Sequence, residues 1–341
     1  MEISKNNILV KTTLKNNFSL MKPFYKFYTD IWNPRHILFI VGYSTDKMTE
    51  GECIDTINQE LFGNSNNNFI KLKSDLGKNP INDHLVRHCK LLYNEDDVYV
   101  FLYETEAHYA AGIWDPLKYK IIKYIHTNNT FNKYAFYIGT DYDDFFYVKN
   151  TDEYLKNLKK KPGLKKSFFH AVEFIPHIPK FSTESTADFE FISSTYFFRK
   201  KAVLYDKLDQ TVSHDLCREI CFRIPTKNEF HHRLNPKTDK PNEKCIEFDN
   251  SCIRFIKSPT TEVITMNRAD IESVCFCFSC LDLEYLLNEK YWLQSSRTET
   301  EKNTYSKKEI IDHFNKYYTL TDEEKRDNII INCEFMKKYF I

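Results

Sequence analysis

His36-Ile37-Leu38-Phe39-Ile40-Val41-Gly42, HILFIVG, is a short apolar run closed by a glycine. A strand buried on both faces reads this way, and parallel sheets covered by helices are where such strands occur. Working forward, Thr49–Phe62 carries Cys53, Ile54, Ile57 and Leu61 at helical spacing. Val98–Tyr103, VYVFLY, is a second buried run of the same kind. Between them, Phe69–Leu72 reads as a further strand and Asn82–Tyr93 as a helix, with Leu85, Val86, Cys89 and Leu92 turned inward. Lys118–Ile125 and Tyr134–Ile138 read as strands, and Asp152–Lys160 closes the region as a helix. Alternation of strands and helices predicts an α/β domain with a parallel or mixed sheet.

Lys156–Lys166, KNLKKKPGLKK, contains the last glycine of the chain, Gly163. Its lysines, proline and glycine mark a solvated helix end and a linker. Beyond it the pattern changes to short extended runs punctuated by proline, among them Ala171–Ile175, Phe189–Phe198, Ile220–Ile224, Cys245–Phe248, Glu262–Met266 and Val274–Phe278. These predict a β-rich domain. Leu283–Ile341 reads as helical, with Thr321 and Glu324 as a capping box. The expected class is α+β: an α/β domain over 1–160, a β-rich domain over 165–282 and a helical tail over 283–341.

Composition narrows the function. Lys plus Arg and Asp plus Glu both number 48 in the 341 residues, so no global field draws the chain to nucleic acid or to an anionic membrane. Nucleic acid would need local lysine patches. The apolar stretch Ile37–Val41 is far too short for a membrane span, and Met1–Phe18 has no signal-peptide core. These features predict a soluble protein of the cytoplasm or nucleus, where its ten cysteines are thiols or metal ligands. Abundant Asn, Lys, Ile, Phe and Tyr, with few Gly, Ala and Pro, fit an AT-rich genome such as that of a large DNA virus, a phage or a protist.

Seven glycines, scattered singly, exclude dinucleotide fingerprints and glycine-flanked nucleophiles. Gly42-Tyr43-Ser44-Thr45-Asp46-Lys47 fails as a phosphate loop, because Asp46 stands where a second glycine belongs. Two sets of residues remain. Glu104, Glu106, His108 and Asp141 follow predicted strands, where α/β sheets bind ligands. Carboxylates and imidazole brought together there can move protons or hold a metal, as in a hydrolase or transferase. Solvation alone also produces acidic loop tips. His84 and His88 share a face if their segment is helical, but the Glu of a metalloprotease is missing between them.

The second set is cysteine. Seven of the ten lie between Cys217 and Cys280. Cys217 and Cys221 paired with Cys277 and Cys280 would make a tetrahedral zinc site. Alternation places Cys275 and Cys277 on one strand face and Phe276 and Phe278 on the other, which is also how core thiols are placed. The leading expectation is a non-catalytic binding or assembly protein with a protein partner. An acidic-site enzyme and a zinc-stabilised nucleic-acid module stand beside it.

Overall fold

Asn6–Lys15, NNILVKTTLK, forms a strand, β1, at the middle of a sheet. The computed structural model describes residues 5–15, 17–63, 69–78, 80–94, 97–105, 111–128, 134–161, 166–174, 196–200, 217–221, 246–248, 264–265, 268–278 and 328–340. It is an α+β protein that divides into two compact units, Met1–Tyr142 with Ile220–His232, and Asp143–Glu219 with Arg233–Ile341.

In the first unit the elements follow as β1, α1 (Met21–Trp32), β2 (Pro34–Tyr43), α2 (Glu50–Phe62), β3 (Lys71–Gly77), β4 (Arg87–Tyr93), β5 (Val98–Glu104), α3 (Ala111–Thr127) and β6 (Phe136–Gly139). Their sheet runs β6-β1-β2-β5-β4-β3. The first four strands are parallel, and β4 and β3 are antiparallel additions. The chain steps from β1 to β2 and on to β5 in one direction, then returns by α3 to β6 on the far side of β1. Right-handed crossovers in opposite directions put α1 and α3 on opposite faces.

Each face has its own core. Phe24 of α1 lies 5.7 Å from Phe39 of β2 and 4.3 Å from Tyr28, ring centre to ring centre. On the other face Leu117, Ile121, Ile122 and Ile125 of α3 cover Leu9, Leu38, Ile40 and Phe101. α1 takes its shape from Met21, Phe24, Phe27, Tyr28 and Ile31, all buried at helical spacing. Pro23 is tolerated because it sits in the first turn, where its missing N–H has no partner to lose. Asn33 ends the helix at φ 42° and donates to the Thr29 carbonyl at 3.2 Å. α2 begins with a capping box. The Thr49 hydroxyl accepts from the Glu52 N–H, and the Glu52 carboxylate accepts from the Thr49 N–H.

Two segments differ from the sequence expectation. The segment read as a helix over Asn82–Tyr93 is a turn followed by strand β4. Asn82 and His88 have positive φ, 55° and 43°, which a continuing helix does not allow. Pairing with β3 on one side and β5 on the other outweighs the local periodicity. Conversely, Lys118–Ile125, read as a strand, lies within α3. Leu117, Ile121 and Ile125 recur every four residues, and that longer spacing is the stripe that packs.

In the second unit β7 (Asp144–Val148) and α4 (Thr151–Lys159) precede β8 (Lys166–Phe174) and β9 (Tyr196–Lys200). The division of the chain falls within β10 (Cys217–Cys221), whose Cys221 belongs to the first unit and pairs there with Gly139 of β6. β11 (Ile246–Phe248), β12 (Ile264–Thr265), β13 (Ser273–Cys277) and β14 (Asn328–Asn332) complete the strands. β13 lies antiparallel to β7 and parallel to β8. The division falls at Tyr142, ahead of the lysine-rich segment, because pairing with β13 commits the chain to the second unit from β7 onward. Of the tail read as helical, the described part is β14 and a 3-10 turn, Glu334–Tyr339. Thr321 and Glu324 lie outside the described residues.

Candidate functional site

Glu104 is the last residue of β5 and is almost fully buried. Its carboxylate faces Arg87 at 3.6 Å and His88 at 3.9 Å, both on the neighbouring strand β4. The ladder continues one step past it, with the Thr105 N–H donating to the Tyr43 carbonyl at 2.8 Å. Asp141 follows β6, is exposed, and pairs with Lys118 of α3 at 3.4 Å. Glu106 and His108 lie outside the described residues. β5 and β6 are separated by β2 and β1, three inter-strand steps or about 14 Å. The structure therefore gives Glu104 and Asp141 separate basic partners and does not bring the two carboxylates together. His84 and His88 do not share a helix face: His84 stands in the turn before β4, and His88 at a bulge inside it.

The segment after β2 has a structural role. Lys47 and Met48 donate their N–H groups to the Ser44 carbonyl at 2.9 and 3.1 Å, forming a turn that delivers Thr49 to the start of α2.

Among the described residues no three His, Cys, Asp or Glu side chains are grouped so as to hold a metal ion. Cys275 and Cys277 are buried thiols on β13, opposite Phe146 and Asp144 of β7. Phe276 and Phe278 occupy the other face, where Phe278 meets Phe145 at 4.8 Å and Phe340 at 4.9 Å, and Phe276 meets Phe335 at 5.8 Å. Cys217 and Cys221 are the two ends of β10, and Cys280 lies outside the described residues.

Burial also holds Cys53, Cys89 and Cys333 as thiols, each pushed up to about 12 by desolvation, with the Glu50 charge adding to the effect at Cys53. In the unfolded chain these thiols ionise near 9.0, while the folded protein keeps them protonated. Their contribution to stability is intact below that pH and is lost as pH rises from about 9 towards 12. The urea midpoint is expected to fall between pH 8 and pH 10.5, and to fall less steeply in a Cys53→Ala/Cys89→Ala variant. Equal slopes in the two proteins would contradict this.

Sequence reasoning passed over a different group of residues. Lys11 and Lys15 of β1 are only 5% and 6% exposed. Tyr103 of β5 is fully buried, and its hydroxyl has no hydrogen-bond partner among the described residues. The signal was present in NNILVKTTLK: two lysines four apart in a strand that after Asn6 and Asn7 is otherwise apolar or β-branched. A comparison with family models found none that matches this chain, and a search of curated proteins found no significant relative.

Proposed function

We propose that this chain is a non-catalytic assembly protein that binds a protein partner along β3, and that the partner is a second copy of the chain. The observation that carries this reading is the outer edge of the first unit's sheet. β3 is the terminal strand, so one side of its backbone has no neighbouring strand among the described residues. Leu72 on it is 56% exposed, and Phe69 just before it is 43% exposed. Exposed edges with apolar side chains are where sheets add a further strand.

The sequence of β3, Lys71-Leu72-Lys73-Ser74-Asp75-Leu76-Gly77, complements itself. A regular antiparallel pair centred on Ser74 would set Lys73 of each copy opposite Asp75 of the other, and Leu72 opposite Leu76, with the added strand following the irregularities that β3 has between Leu72 and Ser74 and between Asp75 and Gly77. Opposite charges and apolar pairs directly across strands each stabilise such a ladder. The two-fold arrangement is closed, so it yields a dimer and not a fibre. A single seven-residue strand buries less than the roughly 1,600 Å² of a standard interface, so the dimer is expected to dissociate on dilution.

The commitment of Glu104 and Asp141 to separate basic partners supports the non-catalytic reading. No helix among the described residues is long and apolar enough to cross a membrane. We place the protein in the cytoplasm or nucleus, where the five buried free cysteines among the described residues would stay reduced.

Sedimentation velocity over a concentration series is expected to show a monomer–dimer equilibrium for the unaltered chain. Leu72→Asp is expected to leave a monomer with an unchanged urea midpoint, since Leu72 is exposed. Lys73→Glu should weaken the dimer, and adding Asp75→Lys should restore it. A chain that stays monomeric at every concentration, or a Leu72→Asp variant that dimerises normally, would overturn the proposal.

A further inference from the structure

On the α3 face of the first unit, side chains stand in rows across the strands. The row nearest the middle, Thr13, Ile40 and Phe101, is largely apolar. One row further towards the carboxyl ends are Lys15 of β1, Gly42 of β2 and Tyr103 of β5. Lys11, one row nearer the amino ends than Thr13, has Gly139 of β6 beside it. A chain with seven glycines thus places two of them on this face, each next to a buried lysine. Both lie on strands that flank β1, where the strand order reverses. Crevices beyond the carboxyl ends of strands at such a reversal are where α/β sheets bind ligands.

Gly42 leaves space that the Tyr103 ring uses. A Cβ at Gly42 would lie 2.9 Å from the Tyr103 hydroxyl and 3.2 Å from a methyl carbon of Thr105. The phenol therefore lies over β2, with its hydroxyl towards the row position of Lys15, one strand spacing or about 4.8 Å further on. A fully buried hydroxyl with no partner among the described residues is a hydrogen bond waiting for an acceptor.

We propose that this edge binds the phosphate group of a small molecule, with Lys15 and the Tyr103 hydroxyl as its contacts and Lys11 adding positive charge. Burial pushes the Tyr103 hydroxyl well above its ordinary range, so it stays protonated and donates to the anion. The assignment is independent of the β3 edge, since the two lie on different strands.

Calorimetric titration of the full chain with inorganic phosphate, glycerol 3-phosphate and adenosine monophosphate tests it, against chloride at matched ionic strength. Saturable binding of at least one phosphate compound is expected. Tyr103→Phe should weaken it about tenfold, as loss of one hydrogen bond to a charged group does. Gly42→Ala should weaken it by displacing the hydroxyl, and Lys15→Met should abolish it. Inorganic phosphate binding as tightly as the esters would identify a free oxyanion as the ligand. Tighter binding of an ester would identify the phosphate as the handle of a larger molecule. If Lys15→Met does not fold, Tyr103→Phe decides. The absence of saturable binding by all three compounds, or unchanged affinity in Tyr103→Phe, would overturn the proposal.

Discussion

Val10→Asp is expected to leave the N-terminal unit unfolded. Val10 is fully buried on β1, paired with Ile37 of β2 on one side and Ile138 of β6 on the other. A carboxylate there is surrounded by apolar groups, and burying an unpaired charge costs several kcal/mol even after relaxation. The lost transfer energy of the valine adds about 1.5 kcal/mol or more. Together these approach the roughly 5–15 kcal/mol that holds a typical domain folded. Far-UV circular dichroism and urea titration would report the loss. Val10→Ile is the control and should cost no more than an overpacking penalty of about 1–3 kcal/mol. A cooperative transition of ordinary midpoint in Val10→Asp would show that β1 is not a central strand.

Phe24→Ala and Phe101→Ala are expected to cost about 3–5 kcal/mol each. Both rings are buried, but on opposite faces of the sheet. Phe24 contacts Tyr28, Phe39 and Tyr142 on the α1 face. Phe101 contacts Tyr103 and Tyr124 on the α3 face, with centroids 6.3 and 6.2 Å away. With no partner in common among these contacts, the two losses should add to within about 0.5 kcal/mol in the double variant. Strong non-additivity, measured from urea midpoints and slopes, would mean that both rings belong to one core and that the two-faced layout is wrong.

The parts of this fold that could be read from sequence are those where local pattern and tertiary role agree. HILFIVG and VYVFLY are buried runs and became β2 and β5. Thr49–Phe62 has both its stripe and its capping residues. β1 was harder, because Lys11, Thr12, Thr13 and Lys15 make a central strand look polar. Their burial depends on neighbours contributed from Pro34–Tyr43 and Phe136–Gly139, which no local window contains. β4 was misread because Leu85, Val86, Cys89 and Leu92 fit a helix, while the positive φ at His88 and the pairing with β3 and β5 are invisible to periodicity.

The candidate sites divide in the same way. Glu104 ends β5 and Asp141 follows β6, but position after a strand carries no information about strand order. That order separates them. It also sets Lys15 beside Gly42, through the step from β1 to β2, and Lys11 beside Gly139, through the return of α3 across the sheet. The self-complementarity of KLKSDLG was legible from the start. It acquires meaning once β3 is known to be the edge.

The reading of this chain as a protein that assembles through β3 is tested most directly by a Ser74→Cys variant under mild oxidation. In an antiparallel pair centred on residue 74, the two Cα atoms lie about 4.5–5.5 Å apart, within the range a disulfide spans. Among the described residues Cys53, Cys89, Cys275, Cys277 and Cys333 are buried and should not compete, and the unaltered chain oxidised alongside controls for the other five cysteines. A covalent dimer is expected on a non-reducing gel, formed faster at higher protein concentration and absent when Leu72→Asp is added. A Ser74→Cys chain that remains monomeric under conditions that oxidise an exposed thiol would contradict it.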